Sequence, residues 1–429
     1  MKIGAPSKLE SEITYVGLMV WCAAYAVTLQ LSVAIGLRSL LWALMLVPLF
    51  WSVLRHDPRY APPLSEAARI AAPVFLWCVW CGVSLVWSRR PGYSFTEWGT
   101  EAAGGFLTFM AFVFATRDGK GLRNLVGLVL AMSAAMAAFA IKDGYFGGGF
   151  DPAVIYHGIG GYSTHIVIVA PLALTLMLAP PEGFGSGMRS RIAFTLFILL
   201  ALAAVRLTDN RMVWPALAIE LLVVTIGLHF ANALNGQRRR FIAVVTVCLA
   251  ITMTAFYSVV QEKALQQFPG ISSLTQAFAG DPRIPLWRVA GQWVANQPWL
   301  GYGFGRGIIG DELIRELRDP MLTHAHNLFL SQWLQTGAIG LLMFLAILAM
   351  LGSRYLRFLR SGDSALAVVG VMGIAVVVGF VVKNLTDDFF FRSNAREFWA
   401  VTGMLLGFGI RREAQTPSGS PASSAPASS

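Results

Sequence analysis

Apolar runs of about 17–25 residues, each able to cross a bilayer as a helix, recur along the chain. They lie near 13–34, 38–54, 68–88, 100–116, 122–142, 163–180, 191–207, 212–232, 240–260, 327–352, 364–384 and 396–410. The pattern predicts an all-α polytopic membrane protein with about twelve transmembrane helices. Short polar gaps separate the runs, with one exception, from about 261 to 326. Within it Leu286, Val289, Ala290, Trp293 and Val294 recur at helical spacing and predict an amphipathic helix near the membrane surface. The glycine-rich stretch 296–305 ends that helix, and Asp311 to Arg318 predicts another short one. The expected organisation is a transmembrane domain over 1–412, a loop over 261–326 between the ninth and tenth spans, and a disordered Ser/Pro/Ala tail over 413–429. No internal repeat is visible.

Composition agrees with this reading. The chain is 56% hydrophobic and 13% charged, against about 25% charged in soluble domains. A net charge of +10 would suggest nucleic-acid binding in a soluble protein. Here the cations fall between apolar runs and act as topology signals. With Lys2 and Lys8 in the cytoplasm, the gaps on that side hold Arg55 and Arg59; Arg117, Lys120 and Arg123; Arg189 and Arg191; Arg238, Arg239 and Arg240; Arg354, Arg357 and Arg360. Arg411 and Arg412 open the tail. The opposite gaps are poorer, so both termini are expected in the cytoplasm and the long loop outside it. The first apolar run is long and others follow it, so it does not read as a cleavable signal. Cys22, Cys78, Cys81 and Cys248 all sit inside apolar runs and read as buried side chains rather than redox or metal groups.

Ionisable residues beside apolar spans are costly and therefore candidates for function. Four clusters share the side of the long loop: Arg206, Asp209 and Arg211; Arg283 and Arg288; His324, His326 and Asn327; and Lys383, Asp387 and Asp388, followed by Arg392 and Arg396. Arginine binds phosphate through a planar fork, and histidine can take a proton from a hydroxyl near neutral pH. Together they suit a lipid diphosphate donor and a hydroxyl acceptor, with arginines offsetting charge on the leaving diphosphate. No DxD or HExxH motif is present, so neither a metal nor another cofactor is expected. No strand precedes the glycines of 301–305, which argues against a nucleotide loop.

At these residues the chain resembles the O-antigen ligase and polymerase superfamily of bacterial membrane glycosyltransferases. The resemblance rests on His326-Asn327 followed at family spacing by Gly337 and Gly340, and on Arg283-Ile-Pro-Leu-Trp287 followed by Gln297-Pro298-Trp-Leu-Gly301-Tyr-Gly303. Asn210-Arg211 and Asn384-Leu-Thr-Asp387 also match in order and spacing. The likeness runs over about 10–410. It implies an inverting, metal-independent O-antigen ligase of the membrane glycosyltransferase C-like fold. Such an enzyme moves a glycan from undecaprenyl diphosphate to a hydroxyl of the lipid A-core, at the periplasmic face of the bacterial inner membrane. By carry-over His326 is the catalytic base, and Arg211 and Arg283 bind the donor diphosphate. Arg288, His324, Asn327 and Asp387 are possible supporting residues. Asn210 departs from the family, which often has Ser there.

The superfamily also contains O-antigen polymerases and protein O-glycosyltransferases, which differ in acceptor. A transporter or flippase is the alternative of another class. Such proteins often carry paired repeats with broken helices at midplane, whereas the polar residues here gather at one face. A large outer cavity is expected between the long loop and the spans.

Overall fold

The computed structural model describes residues 7–32, 34–147, 158–181, 184, 187–233, 238–267 and 281–415, with the side chains of 238–244 and 263–267 excepted. Lys2, the side chains of Arg238, Arg239 and Arg240, and the tail beyond 415 lie outside the described residues. The described residues form helices and no strand. In order these are α1 (Lys8–Leu29), α2 (Ile35–Arg55), α3 (Leu64–Val83), α4 (Pro91–Glu97), α5 (Gly104–Ala115), α6 (Gly119–Ile141), α7 (Ile159–Leu178), α8 (Met188–Arg206), α9 (Val213–Phe230) and α10 (Arg238–Gln267). The long loop supplies α11 (Arg283–Asn296) and α12 (Gly310–Leu317), and the chain ends with α13 (Leu328–Leu359), α14 (Ser364–Lys383) and α15 (Arg392–Gln415).

Each expected span has a helix. Ten of the helical segments among the described residues are long and apolar enough to cross a membrane. The fourth and twelfth expected spans fall short for different reasons. A π-helical turn at Trp98–Ala103 separates α4 from α5, which has only 12 residues. Helix α15 carries Asn394, Arg396 and Glu397 but is buried over most of its length. It packs on α5. A helix shielded from lipid on nearly all sides can carry polar residues, provided the protein supplies partners.

The two ends of the bundle differ in chemistry. At one end Arg354 pairs with Glu66 (2.7 Å), Arg412 with Asp363 (2.8 Å) and Arg55 with Glu10 (3.9 Å). Arg411, read from sequence as a topology signal, is buried there. Its guanidinium donates to the carbonyls of Tyr60, Val113, Phe114, Thr116 and Gly407 and so staples the ends of α5 and α15. These contacts join the gaps assigned to one side by the alternation of spans. The opposite end holds the long loop, whose Leu286, Ala290, Val294, Tyr302, Ile309 and Leu313 form a small core of their own with Leu334 of α13.

That loop is fastened to α13 by a break in the helix. Gly337 sits at φ +70° and ψ −174°, outside helical geometry. The interruption frees backbone groups that must find other partners. Tyr302 N–H donates to the Leu334 carbonyl (2.8 Å), Gly303 N–H to that of Gln335 (3.0 Å), and Ala338 N–H to that of Pro298 (2.8 Å). The chains approach so closely that a Cβ on Gly337 would run into the Trp299 carbonyl, and one on Gly301 into the Gly337 backbone. The glycine-rich stretch that ends α11 therefore also plugs a gap in α13.

Candidate functional site

Arg211 stands at the turn from α8 to α9. Asp209 adopts φ +48°, Asn210 Oδ1 accepts from Met212 N–H (3.0 Å), and Thr208 Oγ1 accepts from Asn210 N–H (3.3 Å). This local bonding turns the chain and sets Arg211 just ahead of α9. Arg283 is the first residue of α11, where its N–H is bonded by Asp281 Oδ1 (2.9 Å). His326 precedes α13 with φ +47°. Asn327 caps that helix, accepting from Leu330 N–H (2.9 Å), and donates to the Leu385 carbonyl (2.7 Å). Leu328 N–H donates to the Asn384 carbonyl (3.0 Å). The start of α13 is thus tied to the end of α14, which brings Asp387 beside His326.

These elements enclose a pocket of about 190 Å³, lined by Asn210, Arg211, Met212, Asp281, Pro282, Arg283, Leu322 and His326. The two arginines and the histidine, far apart in sequence, converge on it. Asp281 lies 3.9 Å from Arg211 and 3.8 Å from Arg283, holding both guanidinium groups at the rim. Burial draws Arg211 below its ordinary range, against the charge of Asp281. A second anion in the pocket would meet two planar forks.

Asp387 joins the site behind the pocket. Lys383 Nζ donates to its Oδ2 (2.6 Å), and so does Asn210 Nδ2 (3.3 Å). Its Oδ1 lies 3.7 Å from Arg283 Nη2 and 3.8 Å from His326 Nδ1. Burial alone would raise this carboxyl. The Lys383 charge, with His326 and Arg283, overrides it and holds Asp387 well below the usual carboxylate range. The His326 Nδ1 atom is buried and makes no hydrogen bond in the structure. It therefore faces a carboxylate that can only accept.

His324 is placed differently. Its ring stacks on that of His326, centroids 3.9 Å apart, but it does not line the pocket. Arg306 donates to its Nε2, and its Nδ1 lies 3.2 Å from Thr323 Oγ1. Burial, reinforced by the charge of Arg306, pushes His324 far below the ordinary histidine range. Arg306 itself lies over the rings of Phe391 and Phe389, at 4.8 and 5.3 Å, with its Nε 3.6 Å from Asp388.

The sequence-based candidates thus divide. Arg211, Arg283, His326 and Asp387 come together, while His324 lies behind His326. Arg288 is exposed on α11 and lines no part of the pocket. Asn327, a candidate for orienting His326, spends its side chain on the helix cap and on Leu385. Sequence reasoning missed Arg306 and Asp281. The signal for Arg306 was a lone arginine between glycines, Gly305-Arg306-Gly307.

The family model described as O-antigen ligase matches residues 196–345. That segment runs from α8 into α13 and contains Arg211, Asp281, Arg283, Arg306, His324 and His326. No curated protein matches the chain. Residues 196–345 are thus similar to the O-antigen ligase family, which supports the resemblance read from the sequence.

Proposed function

We propose that this protein is an O-antigen ligase of the bacterial inner membrane. It transfers a glycan from undecaprenyl diphosphate to a hydroxyl of the lipid A-core, with both termini in the cytoplasm and the site in the periplasm. The observation that carries the reading is the convergence of Arg211, Arg283 and His326 on one pocket. The donor diphosphate lies against the two guanidinium groups. Asp387 beside Nδ1 favours the tautomer with its proton there, leaving Nε2 as the basic nitrogen. Nε2 takes the proton of the acceptor hydroxyl as its oxygen bonds to the anomeric carbon. The bond from that carbon to the diphosphate breaks, and the leaving oxygen keeps the electron pair. Attack opposite the leaving group inverts the anomeric centre. Arg211 and Arg283 offset the charge that develops on the diphosphate, so the reaction needs no metal.

The test is transfer by purified full-length protein from the lipid-linked glycan to lipid A-core, with a second glycan-lipid or a protein offered as competing acceptors. Transfer to lipid A-core that survives EDTA is expected. Exclusive use of the second glycan-lipid would reassign the chain as a polymerase, and exclusive use of protein as an O-glycosyltransferase. His326→Ala should lower the rate by about 10²–10⁴-fold, with a milder loss for His324→Ala. Near-normal transfer by His326→Ala would move the base elsewhere.

A further inference from the structure

The loop that plugs α13 also delivers one side chain to a place no solvent-exposed arginine would occupy. Five backbone amides around it are bonded: Tyr302 to the Leu334 carbonyl (2.8 Å), Gly303 to that of Gln335 (3.0 Å), Phe304 to Ser84 Oγ (3.0 Å), Gly305 to Gln335 Oε1 (2.9 Å) and Gly307 to Tyr93 Oη (2.9 Å). Arg306 sits inside this clamp, held from the residue that ends α3, from α4 and from α13 together. Its guanidinium lies over Phe389 and Phe391 and reaches His324 Nε2.

Arginine can only donate. The His324 nitrogen that meets it must therefore be the lone-pair nitrogen, and the ring's one proton sits on Nδ1, beside Thr323 Oγ1. His324 so held has no basic nitrogen left for substrate. Its face is pressed to His326. Resting on the reading of His326 as base, we infer that Arg306 is a positioning residue: it locks His324 as a neutral ring that backs His326, so that His326 alone takes the proton. The charged and titratable groups acting on His324 are Arg306 from the loop, His326, Asp387 and Arg283. Were His324 free to protonate, its cation would lie against the imidazolium that His326 must become. Arg306, already positive and clamped, removes that competitor.

The test measures kcat and KM for Arg306→Gln, Arg306→Lys, His324→Phe and the Arg306→Gln/His324→Phe pair, at matched folded levels. The assay uses undecaprenyl diphosphate-linked glycan and lipid A-core. Arg306→Gln should lower kcat by about 10–100-fold, in the range of residues that orient a reacting group, with the donor KM within about twofold. Arg306→Lys keeps a donor for Nε2 and should recover most of the loss. In the His324→Phe background, which keeps a flat ring but has no nitrogen to hold, Arg306→Gln should add little further loss. Full additivity, or a raised donor KM with unchanged kcat, would overturn the inference. His326→Ala runs alongside. If it stays active, the reading of the base fails. If it is dead while Arg306→Gln keeps full kcat, only the role of Arg306 fails.

Discussion

Asp387→Asn separates what holds the site together from what drives the chemistry. The carboxylate has four neighbours: Lys383 at 2.6 Å, Asn210 at 3.3 Å, Arg283 at 3.7 Å and His326 at 3.8 Å. Lys383 is 0% exposed, so removing its counter-charge leaves an ammonium buried at the end of α14. Breaking one partner of such a pair costs about 3–5 kcal/mol, whereas replacing both by apolar or neutral groups is often neutral. The amide also removes the charge that faces His326 Nδ1 and leaves one acceptor oxygen where there were two; loss of a carboxylate that orients a histidine costs about 10–100-fold at metal sites and as much as about 10⁴-fold in a Ser-His-Asp triad. Asp387→Asn should therefore lower both thermal stability in detergent and transfer. Lys383→Met/Asp387→Asn should regain most of the stability and none of the transfer. Melting curves and single-turnover transfer on the same preparations decide it. A double variant that recovers transfer along with stability would show that Asp387 acts only as the partner of Lys383, and the account of the His326 tautomer would fall.

Arg211→Lys and Arg283→Lys should each weaken transfer chiefly through the donor, because a point charge replaces a fork worth about 1.5–3 kcal/mol per charge-assisted bond; an unchanged donor KM in both would detach them from the diphosphate. Gly337→Ala should deplete folded protein in the membrane, since it adds about 1–3 kcal/mol of positive-φ strain to a collision with the Trp299 carbonyl; wild-type levels on a blot would refute the plugged-helix account. His324 contributes a pH dependence whose sign follows from its lowered pKa: the neutral form is the folded form, so its share of stability is full above the unfolded value of about 6.5 and is lost as pH falls. Going from pH 7.5 to 5.5 should cost about 1 kcal/mol through this group, and His324→Phe should flatten that part of the stability curve. Equal slopes in the two proteins would assign the effect elsewhere.

Much of this architecture was legible in the sequence because lipid imposes a strict rule: an apolar run long enough to cross must be a helix. The rule weakens where helices hide from lipid, and there the sequence says less. Helix α15 is recognisable only because its middle, 398–410, is apolar, and the π turn ahead of α5 leaves no compositional trace. In the site, Arg211, His326 and Asp387 each stand beside an apolar span, where a charge is conspicuous, and Arg283 is marked in the loop by the Ile-Pro-Leu-Trp287 that follows it. Arg306 stands in a glycine-rich loop, and its burial arises only when Phe389 and Phe391, more than eighty residues later, fold over it. Arg288 could have been set aside from spacing alone. Five residues on a helix turn a side chain through roughly 140° from Arg283, so the two cannot serve one pocket from α11.

The break at Gly337 bears on how such proteins can be recombined. Segment 298–303 and the turn of α13 at 334–338 share one set of backbone hydrogen bonds, so each completes the other as two halves of a joint. A chimera that takes its outer loop from a relative, in search of a new acceptor, and keeps its own tenth span cuts through that joint. The graft most able to keep His326 seated runs without interruption from Arg283 to Gly340. The outer loop and the helix that follows His326 then travel as one inherited piece.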